Sequence, residues 1–171
     1  MSRIVPRQPV PALFVDTLAA SRWNLADQKP RHFTLVAFYR GLHCPLCKNW
    51  LAQLDQRFDE FGQRGVQAIA ISCDGRDRAE QSRKDWHLER VLLGYGLDIE
   101  TARRWGLYIS AAREENEPDR FSEPGLFLVQ PDDRLYASVV STTPFVRPHF
   151  DDVLKVVAHV VEKDYPARGE S

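Results

Sequence analysis

Two cysteines stand three positions apart, Cys44 and Cys47, with Pro45-Leu46 between them. The apolar run Phe33–Tyr39 before them is rich in β-branched and aromatic residues, which indicates a buried strand. After them, apolar residues recur at spacings of three and four, which is typical of an amphipathic helix. Pro45 suits the first helical position, where a missing N–H costs nothing. The sequence therefore predicts a redox dithiol at a helix N-terminus.

That position favours thiolate chemistry. The thiolate is the reactive form of cysteine, and its ordinary pKa is about 8.5. Unpaired N–H groups and the helix dipole stabilise a negative sulfur in the first turn. We therefore expect Cys44 to be an exposed nucleophile with a lowered pKa, and Cys47, one turn deeper, to resolve the mixed disulfide that Cys44 forms.

Two other uses of the motif are less favoured. A CxxC pair can be half of a zinc site, but the only other cysteine, Cys73, has no histidine near it in sequence. No metal site is expected, and no cofactor beyond the dithiol. A structural disulfide is disfavoured because nothing at the N-terminus resembles a secretory signal and 171 residues can build a core unaided. We expect a cytoplasmic protein.

Composition limits the classes of function. Lys and Arg number 23 and Asp and Glu number 24, so the net charge of −1 gives no general attraction to nucleic acid. The longest apolar runs are of strand length, far short of the roughly 20 residues of a membrane helix. We expect one domain, residues 1–171, that binds neither nucleic acid nor membranes.

The predicted elements alternate between strands and helices. We expect an extended segment over Pro6–Leu18, a short strand near Trp23–Leu25, further strands over Phe33–Tyr39, Val66–Ser72, Leu126–Val129 and Leu135–Val140, and helices over Pro45–Phe61, Asp77–His87, Glu100–Trp105 and near Phe150–Val161. Gly62 or Gly65 ends the first helix, and the glycines at 94 and 96 break the pattern. The fold class is α/β, a mixed central sheet flanked by helices.

A CxxC between a central strand and its helix, in this order of elements, resembles the thioredoxin fold. The details are similar to its peroxiredoxin-like branch, the alkyl-hydroperoxide-reductase/thiol-specific-antioxidant (AhpC/TSA) family, over nearly the whole chain. Pro11–Val15 with Trp23–Leu25 resembles that family's N-terminal β-hairpin. Val36–Gly41, Ile69–Asp74 and Gly125–Val129 resemble its successive core strands.

The departures from that family are informative. Peroxiredoxins carry Tyr-Pro-x-x-x-Thr-x-x-Cys around the peroxide-reacting cysteine. Aligned on Phe38-Tyr39, this chain has Arg40 for the Pro, Cys44 for the Thr, and Cys47 at the peroxide-reacting position. The arginine that family members place before the Gly-Leu-Phe strand is Pro124 here, where thioredoxins hold a cis-proline facing the dithiol.

The resemblance implies further site residues. Pro124, expected in the cis form, would present a backbone edge to the substrate. Arg40 could add positive charge near the nucleophile, and His43 could stabilise its thiolate or move a proton, although each could also be an ordinary loop side chain. By resemblance, Phe145 and Arg147 lie in a loop bordering the active site and are candidates for substrate contact.

These observations favour a thiol-disulfide oxidoreductase. Its substrate would be a disulfide-containing protein or a small thiol or disulfide, with an external thiol as possible reductant. The first alternative is a thiol-dependent peroxidase that reduces hydroperoxides through Cys47 or Cys44 and is recycled by an external thiol. The loss of the Pro and Thr argues against it. The second is a non-catalytic redox-sensing module. The sequence does not determine the direction of electron flow or the oligomeric state.

Overall fold

The computed structural model describes residues 4–19 and 21–171. Its elements in chain order are β1 Phe14–Thr17, β2 Arg22–Asn24, a 3-10 turn Leu25–Asp27, β3 Phe33–Phe38, α1 Pro45–Gln63, β4 Val66–Ile71, α2 Arg76–Asp85, β5 Leu92–Tyr95, α3 Ile99–Arg104, β6 Ile109–Ala111, β7 Arg120–Ser122, β8 Gly125–Val129, β9 Leu135–Val140 and α4 Phe150–Lys163. No helix in the described ranges is long and apolar enough to cross a membrane.

Seven strands form a mixed sheet in the order β2-β1-β5-β4-β3-β8-β9. The pairs β3–β4 and β4–β5 are parallel, and the remaining pairs are antiparallel. The hairpin β1–β2 is the predicted N-terminal extension, and β8–β9 is the predicted second hairpin. The thioredoxin-like α/β fold inferred from the sequence is confirmed.

Both faces of the sheet are covered. Every residue of β3 is buried, and its side chains alternate between two apolar clusters. Leu35 and Ala37 face the cluster that contains α1 and α4, whereas Val36 and Phe38 face the cluster that contains Trp105. This burial on both sides explains why the strand is a continuous apolar run instead of an alternating one.

Helix α1 places the dithiol against the sheet. One stripe of the helix is buried, comprising Cys47, Trp50, Leu51, Leu54 and Phe61. The helix ends at Gln63, and Gly65, one of the two glycines that the sequence suggested, follows two residues later. Gly65 has a φ of +75°, and a Cβ there would lie 2.8 Å from atoms of Arg31 and His32. Only glycine allows the chain to turn into β4 at this point.

Three short strands differ from the sequence-based expectation. Gly94 was expected to break the pattern, yet it lies within β5. The position requires a glycine because a Cβ there would be 2.8 Å from Val15 Cγ2 of β1. This glycine allows close packing between strands, and no turn depends on it. The strands β6 and β7, three residues each, pair with each other outside the main sheet. They flank the acidic segment 114–119, and Phe121 of β7 packs against His43, the residue before Cys44.

Candidate active site

The two cysteines lie where β3 passes into α1. Cys44 is the N-cap of α1 with extended dihedral angles, φ −106° and ψ 106°, and Pro45 is the first helical residue. The Cys44 carbonyl accepts the N–H groups of Cys47 at 3.1 Å and Lys48 at 3.3 Å. Both cysteines are free thiols. The predicted position of the dithiol at a helix N-terminus is confirmed.

Neither sulfur is open to solvent. Cys44 exposes 1% of its surface and Cys47 exposes none. The expectation that Cys44 is an exposed nucleophile is therefore wrong. The sequence could not show that a segment some hundred residues away covers the first turn of α1. That segment is residues 141–149, which we call the 141–149 loop.

Arg147 of this loop contacts both sulfurs. Its Nη1 donates to Cys47 Sγ at 3.1 Å, and its Nη2 lies 3.5 Å from Cys44 Sγ. The same guanidinium lies over the Trp50 ring, 5.2 Å from its centroid, and the Trp50 indole N–H donates to the Pro148 carbonyl at 2.8 Å. The loop thus brings a fixed positive charge to the dithiol. The sequence offered Arg147 only as a candidate for substrate contact.

A second arginine, Arg40, also contacts the dithiol. The Arg40 backbone N–H donates to Cys47 Sγ at 3.4 Å. Its guanidinium pairs with the buried carboxylate of Glu123 at 3.2 Å and with Glu117 at 3.7 Å, and it lies over the Phe121 ring. A hydrogen bond from this guanidinium also helps to lower the Cys44 pKa. The predicted Arg40 therefore lies at the site, held by two carboxylates that the sequence analysis did not single out.

These groups separate the two thiols in acidity. The Cys44 pKa falls to about 4 because the Cys47 thiol donates a hydrogen bond to the Cys44 sulfur, with help from the guanidinium groups of Arg40 and Arg147 and against the cost of burial. Burial raises the pKa of Cys47, and the neighbouring negative sulfur raises it further. The pair therefore holds one proton, which lies on Cys47. This supports the predicted division between nucleophile and resolving thiol, which remains a prediction.

His43 packs beside the nucleophile. Its ring lies 4.6 Å from that of Phe121, and both ring nitrogens are buried with no hydrogen-bond partner among the described residues. Burial, and then the charge of Arg40, lower its pKa, which favours the neutral imidazole. A neutral imidazole next to Cys44 can accept or donate one proton.

Pro124 requires a correction. The described residues contain no cis peptide bond, so the Glu123–Pro124 bond is trans, contrary to the prediction. Glu123 and Pro124 join β7 to β8, and the Pro124 carbonyl accepts the Ser141 N–H at 2.9 Å. The trans form is the usual one for the bond before a proline in a folded protein. Pro124 still lies near the site, because it lines a small cavity with Trp50 and Arg147.

Cys73 is half-buried, packs against the Trp105 side of the sheet, and has a pKa raised by burial. It contributes no contact to the dithiol that the structure records. In the described residues, no three His, Cys, Asp or Glu side chains come together as a set of metal ligands.

Comparisons with known proteins agree on a family. The model of the AhpC/TSA family matches residues 6–138. A 1-Cys peroxiredoxin of Onchocerca volvulus is 26% identical over 157 residues, which cover 84% of this chain and 63% of the relative. A 1-Cys peroxiredoxin of Arabidopsis thaliana is 29% identical over 53% of this chain and 39% of the relative. The chain thus spans less than two thirds of the length of these curated relatives.

Solved structures share the fold at low identity. The peroxiredoxin 6 of Arenicola marina superposes with a TM-score of 0.78 at 16% identity, covering 95% of this chain and 76% of the other. Mycobacterium bovis AhpC superposes with a TM-score of 0.75 at 17% identity, covering 96% of each chain. At such identities the likeness establishes the fold alone.

Proposed function

The chain belongs to the AhpC/TSA family, and from that premise we propose that it is a thiol-dependent peroxidase. In this proposal Cys44 attacks the hydroperoxide and Cys47 resolves the product. The observation that carries the proposal is the burial of both sulfurs beneath Arg147. A small hydroperoxide needs only a narrow opening to reach Cys44, whereas the disulfide of a folded protein needs the whole 141–149 loop to move away.

The charges around the dithiol suit this reaction. The Cys44 thiolate attacks one oxygen of ROOH, the O–O bond breaks, and the departing alkoxide takes a proton to leave as ROH. Cys44 becomes a sulfenic acid. Arg147 lies where it would stabilise negative charge passing from sulfur to oxygen, and neutral His43 is adjacent as a proton carrier. Positioned charge of this kind is usually the largest single contribution to catalysis.

Cys47 completes the oxidative half of the cycle. Its thiol already hydrogen-bonds to the Cys44 sulfur. After losing its proton, it attacks the Cys44 sulfenic sulfur, and water leaves as the Cys44–Cys47 disulfide forms. An external thiol, supplying two thiol groups for each turnover, then reduces that disulfide. No metal or further cofactor takes part in these steps.

A thiol-disulfide oxidoreductase is the second candidate. It is favoured by the CxxC spacing itself, and by Arg40 and Cys44 at the positions where peroxiredoxins carry Pro and Thr. Two neighbours of Arg147, Phe145 and Val146, expose 78% and 72% of their surfaces and could contact a protein substrate. This reaction would use the same nucleophile and the same resolving thiol. It differs in needing the loop to open before the chemistry begins.

One experiment separates these functions. Reduced protein is mixed with hydrogen peroxide, with an organic hydroperoxide, or with insulin as a protein disulfide, and the loss of thiols is followed over time. The proteins compared are wild type, Cys44→Ser and Cys47→Ser. Cys73→Ser is the matched control. The peroxidase predicts fast peroxide consumption that needs Cys44, a trapped Cys44 sulfenic acid in Cys47→Ser, and slow insulin reduction. Fast insulin reduction with a slow peroxide reaction would favour the oxidoreductase. A redox-sensing module predicts no turnover with any of the three substrates.

The remaining expectations stay as proposals. We propose that residues 1–171 form one domain that works in the cytoplasm, with a small peroxide or disulfide substrate and an external thiol reductant as partners. Nucleic acid and membranes are not among the proposed partners.

A further inference from the structure

A buried carboxylate lies beneath the turn that leads into the dithiol. Asp74 follows β4, and its side chain is fully buried. Its Oδ2 accepts the backbone N–H of Leu42 at 2.8 Å, and its Oδ1 accepts Nε of Arg78 at 2.9 Å. Both oxygens are therefore occupied, one by the turn before Cys44 and the other by α2.

The turn is shaped to fit this carboxylate. Gly41 has a φ of +136°, and a Cβ at this position would lie 2.6 Å from Asp74 Oδ2. A larger residue would meet both backbone strain and a clash with the carboxylate. The close approach thus depends on a glycine on one side and a short acidic side chain on the other.

The same turn sets the position of Cys44. The Gly41 carbonyl accepts the Cys44 N–H at 3.1 Å, so the residues between them form one tight unit. Because Asp74 accepts the Leu42 N–H, it fixes that unit against the end of β4. The Cys44 sulfur depends on this placement, because Arg147 must lie within 3.5 Å of it and the Cys47 thiol must reach it.

Arg78 extends the arrangement to the acidic segment. Its Nη2 donates to the Asn116 carbonyl at 3.1 Å, and the next residue, Glu117, pairs with Arg40. The contacts of Asp74 therefore run from the dithiol turn through α2 to the segment that holds Arg40.

We propose that Asp74 is a positioning residue that holds the Gly41–Leu42 turn and thereby keeps the Cys44 sulfur within reach of Arg147 and Cys47. The proposal rests on the proposed function only in taking Cys44 as the reacting sulfur. Asp74 touches neither sulfur in the recorded contacts and acts through the backbone.

The direction in which the Cys44 pKa changes when Asp74 is replaced tests this positioning role. Removing a nearby negative charge by itself favours a thiolate and lowers its pKa. Loss of position has the opposite effect, because the sulfur leaves its hydrogen-bond donors. The groups that face Cys44 are Cys47, Arg40, Arg147 and His43, and all stay unchanged in the variants below. A rise in the Cys44 pKa therefore reports a change of position.

The experiment measures the pH dependence of Cys44 alkylation by iodoacetamide and the dithiol–disulfide equilibrium with glutathione. In Asp74→Ala we expect the midpoint of Cys44 alkylation to rise by about one pH unit, so that alkylation at pH 4 slows by roughly fivefold, and the equilibrium to move toward the disulfide. Asp74→Asn keeps an acceptor for the Leu42 N–H without the charge, so its alkylation midpoint should stay at or below the wild-type value. Asp98→Ala, which removes the N-cap of α3 away from the dithiol, should destabilise the fold without moving the midpoint.

An unchanged or lowered Cys44 pKa in Asp74→Ala would overturn the proposal, because Asp74 would then act only as a charge or only as part of the fold. If Asp74→Ala does not fold, Gly41→Ala replaces it. That variant pushes a Cβ against the carboxylate and should raise the Cys44 pKa, and an unchanged value would again overturn the proposal. Neither readout needs peroxide turnover, so failure of this proposal and failure of the peroxidase proposal give different results.

Discussion

Arg147 donates a hydrogen bond to the Cys47 sulfur at 3.1 Å, although the two residues are 100 positions apart in sequence. The contact joins the 141–149 loop to the first turn of α1. It gives the dithiol a positive charge and covers it at the same time. Both the acidity of the site and access to it therefore depend on one side chain.

The first prediction concerns this arginine. Arg147→Gln keeps a polar side chain but removes the charge, so the Cys44 pKa should rise and peroxide consumption should slow. A hydrogen bond to a charged group contributes about 2 kcal/mol, which corresponds to a rate loss of roughly thirtyfold. Stopped-flow measurement of thiol loss tests this. Arg90→Gln, an exposed arginine paired with Asp59 far from the dithiol, is the control and should react like wild type. Equal rates in all three proteins would remove Arg147 from the mechanism.

The second prediction is a pH dependence of stability. The Cys44 pKa is about 4 in the folded protein, against a reference value of 9.0. Between these values the unfolded chain binds more protons at this thiol than the folded chain does, so the contribution of Cys44 to stability grows as pH rises. That contribution is fully present above about pH 9 and is lost as pH falls through about 4.

The contribution of Cys44 to stability is measured by chemical denaturation of reduced wild type and Cys44→Ser at several pH values. The difference in free energy of unfolding between the two proteins should increase steadily from pH 4 to pH 8. A constant difference would mean that the Cys44 pKa is not lowered in the folded protein.

The third prediction tests how the 141–149 loop is anchored. Trp50→Phe removes the indole N–H that binds the Pro148 carbonyl and weakens the stacking of Arg147. We expect a loss of about 1–2 kcal/mol of stability from these two contacts. Cys44 alkylation should also slow, because Arg147 is held less firmly. Urea denaturation and alkylation rates measure the two effects, and a stability loss without any change in alkylation would separate Trp50 from the site.

The fourth prediction compares a buried ion pair with an exposed one. Arg40 and Glu123 expose only 15% and 5% of their side chains, and Ser110 also donates to Glu123 at 2.6 Å. Glu123→Ala leaves Arg40 largely buried with a weaker counter-ion, so we expect a loss of about 3 kcal/mol. Asp59→Ala breaks the exposed pair with Arg90 and should cost less than about 1 kcal/mol. Similar losses in both variants would show that Arg40 keeps its compensation from Glu117.

Sequence patterns predicted the parts of this structure that local chemistry determines. The start of α1 follows from Pro45 and the apolar stripe after it, and the strand β3 follows from its continuous apolar run. The identities of Cys44 and Cys47 as a helix-terminal dithiol needed no tertiary information. Of the two glycines that were candidates for ending α1, Gly62 lies within the helix, and Gly65 follows its end at Gln63, where the close approach of His32 requires a glycine.

Tertiary contacts determine what the sequence missed. Gly94 pairs within the sheet and leaves room for Val15, and no local signal distinguishes that glycine from one in a turn. The burial of Cys44 depends on the 141–149 loop. The role of Arg147 at the dithiol depends on its contact with Cys47, which is 100 positions away in sequence. Asp74 stood out in no motif, because its role comes from the Leu42 N–H that it meets. The cis form of Pro124 was inferred by analogy with thioredoxins, and the bond is trans.

The most direct test of the account is single-turnover oxidation of the reduced wild-type protein by a hydroperoxide, followed by stopped flow. The account predicts that one equivalent of peroxide converts Cys44 and Cys47 to a disulfide, at a rate that falls by at least about tenfold in Arg147→Gln, and that Cys44→Ser loses the reaction. Oxidation no faster than that of an ordinary low-pKa thiol, or a fast reaction that survives in Cys44→Ser and requires Cys47, would contradict it.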